Sequence, residues 1–359
     1  MASQNPDRPA SSPESFQVGE WLRGTGPQAD LAICTRVRFA RNLRDFRFST
    51  CMDAEEAKEL NKLVCTQLAK PDFYEPLKVI DLASLDELER RLLVERHLIS
   101  REHAAQDRTR SVAVNERESV SIMVNEEDHL RTQVFASGFR VAEAYRHAER
   151  IDDALIAVLP IAFSEEFGFL TACPTNTGTG LRISVMLHLP GLVWAEEIEK
   201  ATNTVQKIHL AVRGLYGEGS RALGDFYQVS NQVTLGRSEE QILQDVATAV
   251  DRLISWEREV REALLKGEPR ARTLDRIHRA LGTLERAHVL SSEEALNCLS
   301  AVRLGVQQQM LPQLEIPQIN RALLLCQPAH LQRLSMEKLS PQERDQRRAT
   351  LMRQLIGRT

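Results

Sequence analysis

The stretch from Cys173 to Arg182 carries side chains that could hold an anion beside a substrate. It reads Cys-Pro-Thr-Asn-Thr-Gly-Thr-Gly-Leu-Arg, so a thiol, three hydroxyls, an amide and two glycines precede an arginine. Hydroxyl groups and glycine backbone amides donate hydrogen bonds to anions, and loops of this composition bind ligands more often than they merely connect elements. We therefore predict a binding loop in which Cys173 can touch a substrate.

Two arginines lie on one face of a predicted strand. Arg36 and Arg38 alternate with the apolar residues Ile33, Val37 and Phe39. The rise of a strand separates the two guanidinium groups by about 6–7 Å. Like charges this close repel unless an anion or carboxylates lie between them. A pair of surface salt bridges is the alternative for an isolated Arg-x-Arg.

Three acids and a histidine follow an apolar strand pattern at residues 120–124. Glu126, Glu127 and Asp128 stand directly before His129. The acids could bind a divalent metal, or one carboxylate could clamp a cationic substrate. A solvated turn that caps a helix beginning near Asp128 is the alternative. His129 fits a structural hydrogen-bonding residue better than a catalytic one.

A glycine-rich stretch runs from Arg213 to Ser220. Its three glycines predict a mobile loop that can approach a ligand closely, and Arg213 and Glu218 give it one charge of each sign. Taken alone, the stretch is better explained as an ordinary flexible connection.

Strand and helix periods alternate between Leu31 and about Trp256. Two more apolar alternations predict strands, namely Leu181, Ile183, Val185, Leu187 and Leu189, and then Tyr227, Val229, Val233 and Leu235. Helical signals are the capping boxes Ser84-x-x-Glu87 and Ser238-x-x-Gln241 and the stripe Ile198, Ala201, Val205, Ile208 and Val212. The strands are irregularly spaced, which favours an α+β fold with an antiparallel or mixed sheet flanked by helices.

From about Lys266 the pattern is purely helical, and Gly267–Pro269 is a plausible boundary. Helical spacing extends over Thr273–His288, Ser291–Leu304 and Ser340–Ile356. We therefore predict a disordered tail at residues 1–20, a catalytic domain at 21–262 and an all-helical domain at 268–359.

Composition excludes several classes. The 359 residues carry a net charge of −4, which gives no bulk attraction to nucleic acid or membrane, and no apolar run is long enough to span a bilayer. Six cysteines without Cys-x-x-Cys spacing argue against a zinc site and for a reducing cytoplasm. Phosphate-loop and dinucleotide-binding glycine motifs are missing, so side chains must hold the phosphates of any nucleotide.

Taken in their order along the chain, the four segments resemble those of the phosphagen (ATP:guanidino) phosphotransferases. The resemblance covers Asp30 to about Trp256. Thr177 departs from the pattern, because the family usually has an aliphatic residue there. Kinases of free arginine or creatine carry a helical domain ahead of the arginine strand, and we expect none here. The C-terminal run Arg344-Asp345-Gln346-Arg347-Arg348-Ala349 instead resembles the Arg-Asp-x-x-Arg-Ala phosphoarginine motif of McsB-type protein arginine kinases.

The resemblance implies the site residues. Glu127 is the base that accepts a guanidinium proton, Glu218 is the second clamp, and Cys173 and Asn176 lie near the guanidinium. The phosphoarginine pocket comprises Arg344, Asp345, Arg347, Arg348 and Ala349, and no protein side chain is a metal ligand. The implied nucleotide contacts are Thr35, Arg36, Val37, Arg38, Phe39, His97, Arg131, Arg182, Ile183, Ser184, Val185, Met186, Arg213, Gly214, Leu215, Tyr216, Gly217 and Glu218.

The resemblance also implies a function. It predicts a cytoplasmic enzyme that uses ATP and Mg²⁺ to phosphorylate exposed arginines of proteins. It also implies that the enzyme is a homodimer and works with an activator protein and with Clp-type proteolysis. Two alternatives stay open: a phosphoarginine-binding adaptor without catalysis, and a kinase of free arginine.

Overall fold

A computed structural model gives the conformation of residues 17–105, 108–214, 223–335 and 337–357. Its centre is an eight-stranded sheet in the order β2-β3-β4-β5-β1-β8-β10-β9, with every neighbouring pair antiparallel. The strands, including the small hairpin β6-β7, are β1 (Ala32–Arg41), β2 (Lys78–Asp81), β3 (Ser111–Val114), β4 (Val120–Val124), β5 (Leu130–Ser137), β6 (Phe163–Ser164), β7 (Gly168–Phe169), β8 (Leu181–His188), β9 (Leu210–Gly214) and β10 (Phe226–Asn231). The predicted antiparallel α+β class is confirmed.

Helices flank this sheet and fill the C-terminal part of the described chain. They are α1 (Ala54–Leu68), α2 (Glu87–Glu95), α3 (Val141–Val158), α4 (Pro190–Trp194), α5 (Ile198–Gln206), α6 (Glu239–Leu264), α7 (Pro269–Arg286), α8 (Ser292–Gln307), α9 (Ile316–Leu325), α10 (Pro328–Arg333) and α11 (Pro341–Ile356). No described helix is both long and apolar enough to cross a membrane.

One face of the sheet forms the larger core. The predicted alternation in β8 is confirmed, since Leu181, Ile183, Val185 and Leu187 are all fully buried there. Helices α1, α3, α5 and α6 supply the opposing apolar side chains. Each fully buried aliphatic side chain contributes about 1.5–3 kcal/mol, so this core fixes which face of each strand is left for polar residues.

The opposite face is covered at one end by the C-terminal helices. Cys34, Phe135, Met186 and Phe226 pack with residues of α7, α8, α9 and α11 in a second core. The strand registers place these four residues toward one end of β1, β5, β8 and β10. The other end of this face stays accessible. The predicted division of the chain into domains stays a prediction, since the C-terminal helices share a core with the sheet.

The polar links between α8 and the sheet are buried as well. Arg303 donates from Nη1 to the Asp30 carbonyl and to Nδ1 of His188, each at 2.9 Å, and from Nη2 to the Ala29 carbonyl at 2.9 Å. Nε2 of His188 lies 2.9 Å from the Ser300 hydroxyl. These bonds fix α8 against the sheet and therefore fix one wall of the accessible region.

Strand β1 contains a bulge that the sequence pattern does not show. Ala32 pairs with Leu187 and Cys34 pairs with Met186, so Ile33 is an extra residue. A bulge of this kind moves the following side chains to the other face. The prediction that Ile33 shares a face with Val37 and Phe39 is wrong, because Ile33 packs in the second core.

Three predicted elements differ in the structure. The capping box of α2 is formed by Asp86 and Glu89, not by Ser84 and Glu87. The stripe predicted from Ile198 to Val212 is not one helix, because α5 ends at Gln206 and Val212 lies on β9. The strand predicted from Tyr227 to Leu235 ends at Asn231. The capping box of Ser238 and Gln241 is confirmed.

Candidate active site

Five arginines of the sheet line one cleft on its accessible end. The cleft has a volume of about 2260 Å³, and its walls come from the sheet, from α2 and the segment after it, and from the C-terminal helices. The arginines belong to β1, β5, β8 and β9 and are Arg36, Arg38, Arg131, Arg182 and Arg213. The structure therefore brings together the five residues that the sequence predicted as phosphate contacts.

Strand register explains how the arginines meet. Arg38 lies directly opposite Arg182, and Arg36 lies opposite Ser184. Because strand side chains alternate, all four point to the same face. Arg36 is held in place by Nη2, which donates to Oε1 of Gln228 at 2.8 Å, and by Nε, which donates to the Ser184 hydroxyl at 3.4 Å.

The cationic cluster is electrostatically costly without an anion. Burial, with added repulsion from Arg131 and Arg182, lowers the pKa of Arg36 to about 10. Burial and the neighbouring arginines hold the pKa of Arg38 well below its usual range. Nε of Arg38 is buried without a hydrogen-bond partner in the described part of the chain. Since a guanidinium keeps its proton in proteins, an anion is what relieves this cost.

Glu126 holds Arg131 at the edge of the cluster. Nη1 of Arg131 donates to Oε1 of Glu126 at 2.6 Å, and the Ser100 hydroxyl donates to the same oxygen at 2.7 Å. The other oxygen, Oε2, accepts from the backbone amide of Glu127 at 2.8 Å. Interaction with Arg131 and these hydrogen bonds keep the pKa of Glu126 below its ordinary value despite burial. Glu126 thus ties Arg131 of the arginine cluster to the acid turn.

The acid segment is a turn between two antiparallel strands. It connects β4 to β5, so the alternative of a helix beginning near Asp128 is wrong. His129 is structural, as predicted from its type. Its Nδ1 accepts from the Leu43 amide at 3.0 Å, and Nε2 lies 2.8 Å from the Arg47 carbonyl, which assigns the proton to Nε2. Burial also lowers the pKa of His129, which keeps the ring neutral.

Asp128 anchors the Cys173 loop to this turn. Its Oδ1 accepts from the Asn42 amide group and from the Ala172 backbone amide, each at 2.7 Å. The Asn42 side chain also accepts from the His129 amide at 2.9 Å. The turn and the loop are therefore held together by buried hydrogen bonds.

Glu127 is the exposed member of the acid turn, whereas Glu126 and Asp128 are buried. Partial desolvation raises its pKa, and the charges of Asp128 and Glu126 raise it further. Interaction with the nearby Cys173 side chain opposes that rise. The structure thus places Cys173 beside Glu127. A carboxylate with a raised pKa that reaches solvent is suited to accept a proton from a substrate.

The Cys173 loop is fixed by contacts on its outer side. The hydroxyl of Thr234 donates to the carbonyls of Thr175 and Thr177 at 3.0 and 2.6 Å. The hydroxyl that distinguishes Thr177 from the aliphatic residue of the family lies 2.9 Å from the Thr171 hydroxyl. Gly178 has a φ of 109°, and a Cβ there would lie 2.6 Å from the Thr234 carbonyl, so only glycine fits. Asn176 follows Cys173 in a short 3-10 helix.

Half of the predicted nucleotide contacts on β1 and β8 have side chains that point away from the cleft. The side chains of Thr35, Val37, Phe39, Ile183 and Val185 are buried on the helix-covered face. Their strands are paired on both sides, so backbone groups are not available either. Their contact with a nucleotide stays a prediction from the resemblance, which took whole segments and did not consider the alternation of a strand. Ser184 and Met186 lie on the cleft face.

His97 lines the cleft next to the arginine cluster. It has a φ of 59° and packs edge-on against Trp21 with ring centroids 4.3 Å apart. Burial and the charges of Arg36 and Arg101 lower its pKa to about 3, so the ring is neutral and can accept or donate a hydrogen bond. Its predicted contact with a nucleotide stays a prediction.

The predicted glycine loop is described only at its start. Arg213 and Gly214 are the last residues of β9, where they pair with Gln228 and Tyr227. The predicted residues Leu215, Tyr216, Gly217 and Glu218 lie outside the described residues, and so do residues 1–16 of the predicted tail.

The predicted phosphoarginine residues differ in their surroundings. Arg344 lines the cleft that holds the five arginines, whereas Arg347 is exposed to solvent. Arg348 is buried and donates from Nε to the Cys326 carbonyl at 2.9 Å and from Nη1 to the Leu290 carbonyl at 2.7 Å. Asp345 accepts from the same Nη1, and Ala349 is buried. Arg348 therefore holds α11 in place, and the predicted pocket stays a prediction.

Replacing Arg348 by alanine is expected to lower the free energy of unfolding by about 3 kcal/mol, because two buried carbonyls lose their donor. The matched control is Arg347→Ala on the exposed side of the same helix, for which we expect a change within about 0.5 kcal/mol. Urea denaturation of both variants measures the difference. Equal stabilities would contradict the structural role of Arg348.

Some functional residues were missed from the sequence. Gln228 positions Arg36, and Gln133 donates to the His97 and Leu98 carbonyls at 3.0 and 2.9 Å. Glu126 was seen as part of the acid segment but not as the partner of Arg131. Each of these three residues could have been found from its position on the polar face of a strand or turn, close to a predicted site residue. The partners of Gln228 and Gln133 are distant in sequence, whereas Arg131 follows Glu126 by five residues.

The donors in the cleft fit a nucleotide rather than a bare metal ion. The guanidinium groups of the five sheet arginines offer charge and hydrogen bonds to phosphate oxygens. Among residues 17–105, 108–214, 223–335 and 337–357, no cluster of three histidine, cysteine, aspartate or glutamate side chains is arranged to hold a metal.

Comparison with solved structures supports the fold. The fold is similar to the solved structure of the substrate-free duplicated taurocyamine kinase from Schistosoma mansoni, with a TM-score of 0.58 and 23% identity. That match covers 79% of this chain and 42% of the other, so the chain spans less than half of the duplicated protein. This likeness concerns the fold.

Sequence comparisons are closer. A protein from Moorella thermoacetica named protein-arginine kinase is 44% identical over 94% of this chain and 97% of its own length. Another of that name from Symbiobacterium thermophilum is 44% identical over 93% of this chain and 95% of its own length. Residues 59–260 match the ATP:guanido phosphotransferase C-terminal catalytic domain, and residues 270–359 match the protein-arginine kinase McsB C-terminal domain. The chain therefore belongs to the ATP:guanido phosphotransferase family, within its protein-arginine kinases.

Proposed function

We propose that this enzyme transfers the terminal phosphoryl group of ATP to the guanidinium of arginine side chains in proteins. The observation that carries the proposal is the arginine-lined cleft joined through Glu126 to the turn that presents Glu127. The cleft supplies positive charge for nucleotide phosphates. The turn supplies a carboxylate of raised pKa for a cationic acceptor. The names of the relatives support arginine as that acceptor.

The chain's own groups have distinct tasks in this reaction. An N–P bond forms at the guanidinium, the bond between the terminal phosphorus and its bridging oxygen breaks, and ADP leaves. Glu127 orients the guanidinium and takes the proton that the attacking nitrogen loses. Arg36, Arg38 and Arg182 stabilise the charge on the phosphoryl oxygens through position and electrostatics.

Mg²⁺ is part of the proposal, bound through the nucleotide phosphates, because phosphates and water are its preferred ligands. Glu218, as the second clamp, stays a prediction from the resemblance. The same holds for an activator protein, Clp-type proteolysis, a homodimer and a cytoplasmic location.

The test is incubation with Mg-ATP and either an unfolded protein or free arginine, followed by mass spectrometry under conditions that preserve the acid-labile N–P bond. We expect phosphoarginine in the protein. Product on free arginine alone would show a kinase of the free amino acid. Binding of phosphoarginine without turnover would show an adaptor.

A further inference from the structure

Four large apolar side chains are exposed beside the Cys173 loop. Phe163, Phe167, Val233 and Leu235 have exposed fractions of 60%, 46%, 41% and 50%. We call these four residues the apolar rim. A single exposed apolar side chain is ordinary, whereas a group of them marks a binding surface.

The two segments of the rim border the same loop. Phe163 of β6 packs edge-on against Phe169 of β7, with ring centroids 5.2 Å apart. Phe169 pairs through its backbone with Gly178, whose own backbone lies against Thr234 and Leu235. The rim therefore follows the outer edge of the Cys173 loop.

The rim is also coupled to the reacting carboxylate. The Ala172 amide donates to Asp128 at 2.7 Å, which ties the Cys173 loop to the acid turn that carries Glu127. Because the rim borders this loop, the same bond ties the rim to the turn that carries Glu127. A polypeptide that presents an arginine to Glu127 must pass over neighbouring surface, and the rim is part of that surface.

Two acids lie between the aromatic residues of the rim. Glu165 and Glu166 form the turn of the β6-β7 hairpin and are exposed. The turn is ordered by the amides of Glu166 and Phe167, which donate to the Ser164 hydroxyl at 3.3 Å. Neither carboxylate forms an ion pair with another described residue. Their charge is complementary to a basic polypeptide and would repel its own copy in a two-fold dimer.

We propose that the apolar rim binds the polypeptide on either side of the target arginine, as an extended segment that carries aromatic or large aliphatic residues. The inference rests on the proposed function and names its substrate class. Folded proteins bury such residues, so the rim selects unfolded or locally unfolded chains. Glu165 and Glu166 add a preference for basic neighbours.

The test compares two peptides that share one arginine. One peptide has phenylalanine and leucine beside the arginine, and the other has glycine and serine. We expect the wild type to favour the apolar peptide by about tenfold in kcat/KM, the effect of burying one apolar side chain. In Phe163→Ser/Phe167→Ser, the ratio is expected to fall close to one, with the rate on the glycine peptide unchanged.

Control variants separate docking from folding. Val289→Ser changes an equally exposed apolar residue in the connection between α7 and α8 and is expected to keep the wild-type ratio. If the double variant does not fold, Phe167→Ser alone and Glu165→Gln/Glu166→Gln carry the test. For the acid pair, we expect a loss of preference for lysine-flanked peptides of roughly threefold.

The outcomes distinguish the two proposals. A wild type that phosphorylates no peptide or protein arginine overturns the proposed function. A wild type that phosphorylates both peptides with equal efficiency overturns only the docking inference. A changed oligomeric state in the rim variants, measured by light scattering and combined with an unchanged peptide ratio, would assign the rim to a second copy of the chain and overturn the inference as well.

Discussion

Glu127→Gln is expected to lower kcat by about a thousandfold while leaving the fold intact. The amide is nearly the same size as the carboxylate but cannot take a proton from a guanidinium. Glu127 is exposed, and its raised pKa reflects partial desolvation and the nearby charges of Asp128 and Glu126. Steady-state phosphorylation of an unfolded protein measures the loss, and circular dichroism checks the fold.

The raised pKa also sets the direction of the pH dependence. A base works only when it is deprotonated, so the rate falls as the pH drops through its pKa. Because the pKa of Glu127 lies above the ordinary glutamate value, the acid limb of log kcat is expected at a higher pH than for an unperturbed carboxylate. This limb should be missing from the residual activity of Glu127→Gln.

Asp128→Ala is the matched comparison in the same turn. It leaves the Asn42 side chain and the Ala172 amide without their acceptor, which costs about 1–3 kcal/mol of stability. We expect its kcat to fall less than that of Glu127→Gln, since the base remains. Near-normal turnover of Glu127→Gln, or a larger loss of kcat in Asp128→Ala, would reject Glu127 as the base.

Local sequence patterns predicted where the strands lie better than they predicted which face of the sheet each side chain occupies. The alternation of Leu181, Ile183, Val185 and Leu187 correctly predicted strand β8 and its buried face, because all four are core residues. The bulge at Ile33 could not be predicted in this way, since an inserted residue leaves composition and hydrophobicity unchanged. Bulges depend on the register between strands, which is a property of the pair.

Helix boundaries failed where two local signals competed. Ser84-x-x-Glu87 and Asp86-x-x-Glu89 both fit a capping box, and the sequence alone does not rank them. In the structure the Ser84 hydroxyl donates to the Asp81 carbonyl at 2.6 Å, so it does not cap the helix. The Asp86 carboxylate instead accepts from the Glu89 amide at 2.8 Å. The turn that precedes α2 therefore determines that Asp86, and not Ser84, is the N-cap.

The candidate site was predictable in its residue types and only partly in its geometry. Arg36 and Arg38 were assigned to one face from their spacing, and they meet Arg182 there. The covering of that face by the C-terminal helices was not predictable. An apolar stripe shows that a helix is buried, but it does not show which surface buries it.

Arg38→Met is expected to stabilise the enzyme in the absence of nucleotide while abolishing most of its activity. Arg38 is nearly buried, its Nε has no hydrogen-bond partner in the described part of the chain, and its charge is repelled by Arg36, Arg131 and Arg182. Replacing such a charge by an apolar side chain of similar volume raises the free energy of unfolding by about 1–4 kcal/mol.

The same substitution removes a proposed phosphate contact. With nucleotide at 100 times its Kd, binding stabilises the wild type by about 2.7 kcal/mol, and this gain should shrink strongly in the variant. We expect kcat/KM for ATP to fall by roughly a hundredfold or more, as for other groups that stabilise transition-state charge. Urea denaturation with and without Mg-ATP, together with steady-state kinetics, measures both effects.

Arg41→Met is the control, because Arg41 is also buried on β1 but has its full set of partners. Its Nη2 and Nε donate to Asp152 at 2.6 and 3.1 Å, and its Nη1 donates to the Ala40 and Thr179 carbonyls at 2.9 Å. Removing it leaves the Asp152 carboxylate buried without its cation, which costs about 3–5 kcal/mol. Two buried arginines three residues apart should therefore respond with opposite signs. A destabilised Arg38→Met would mean that the cluster is neutralised without an anion, and the argument for a phosphate site would lose its electrostatic basis.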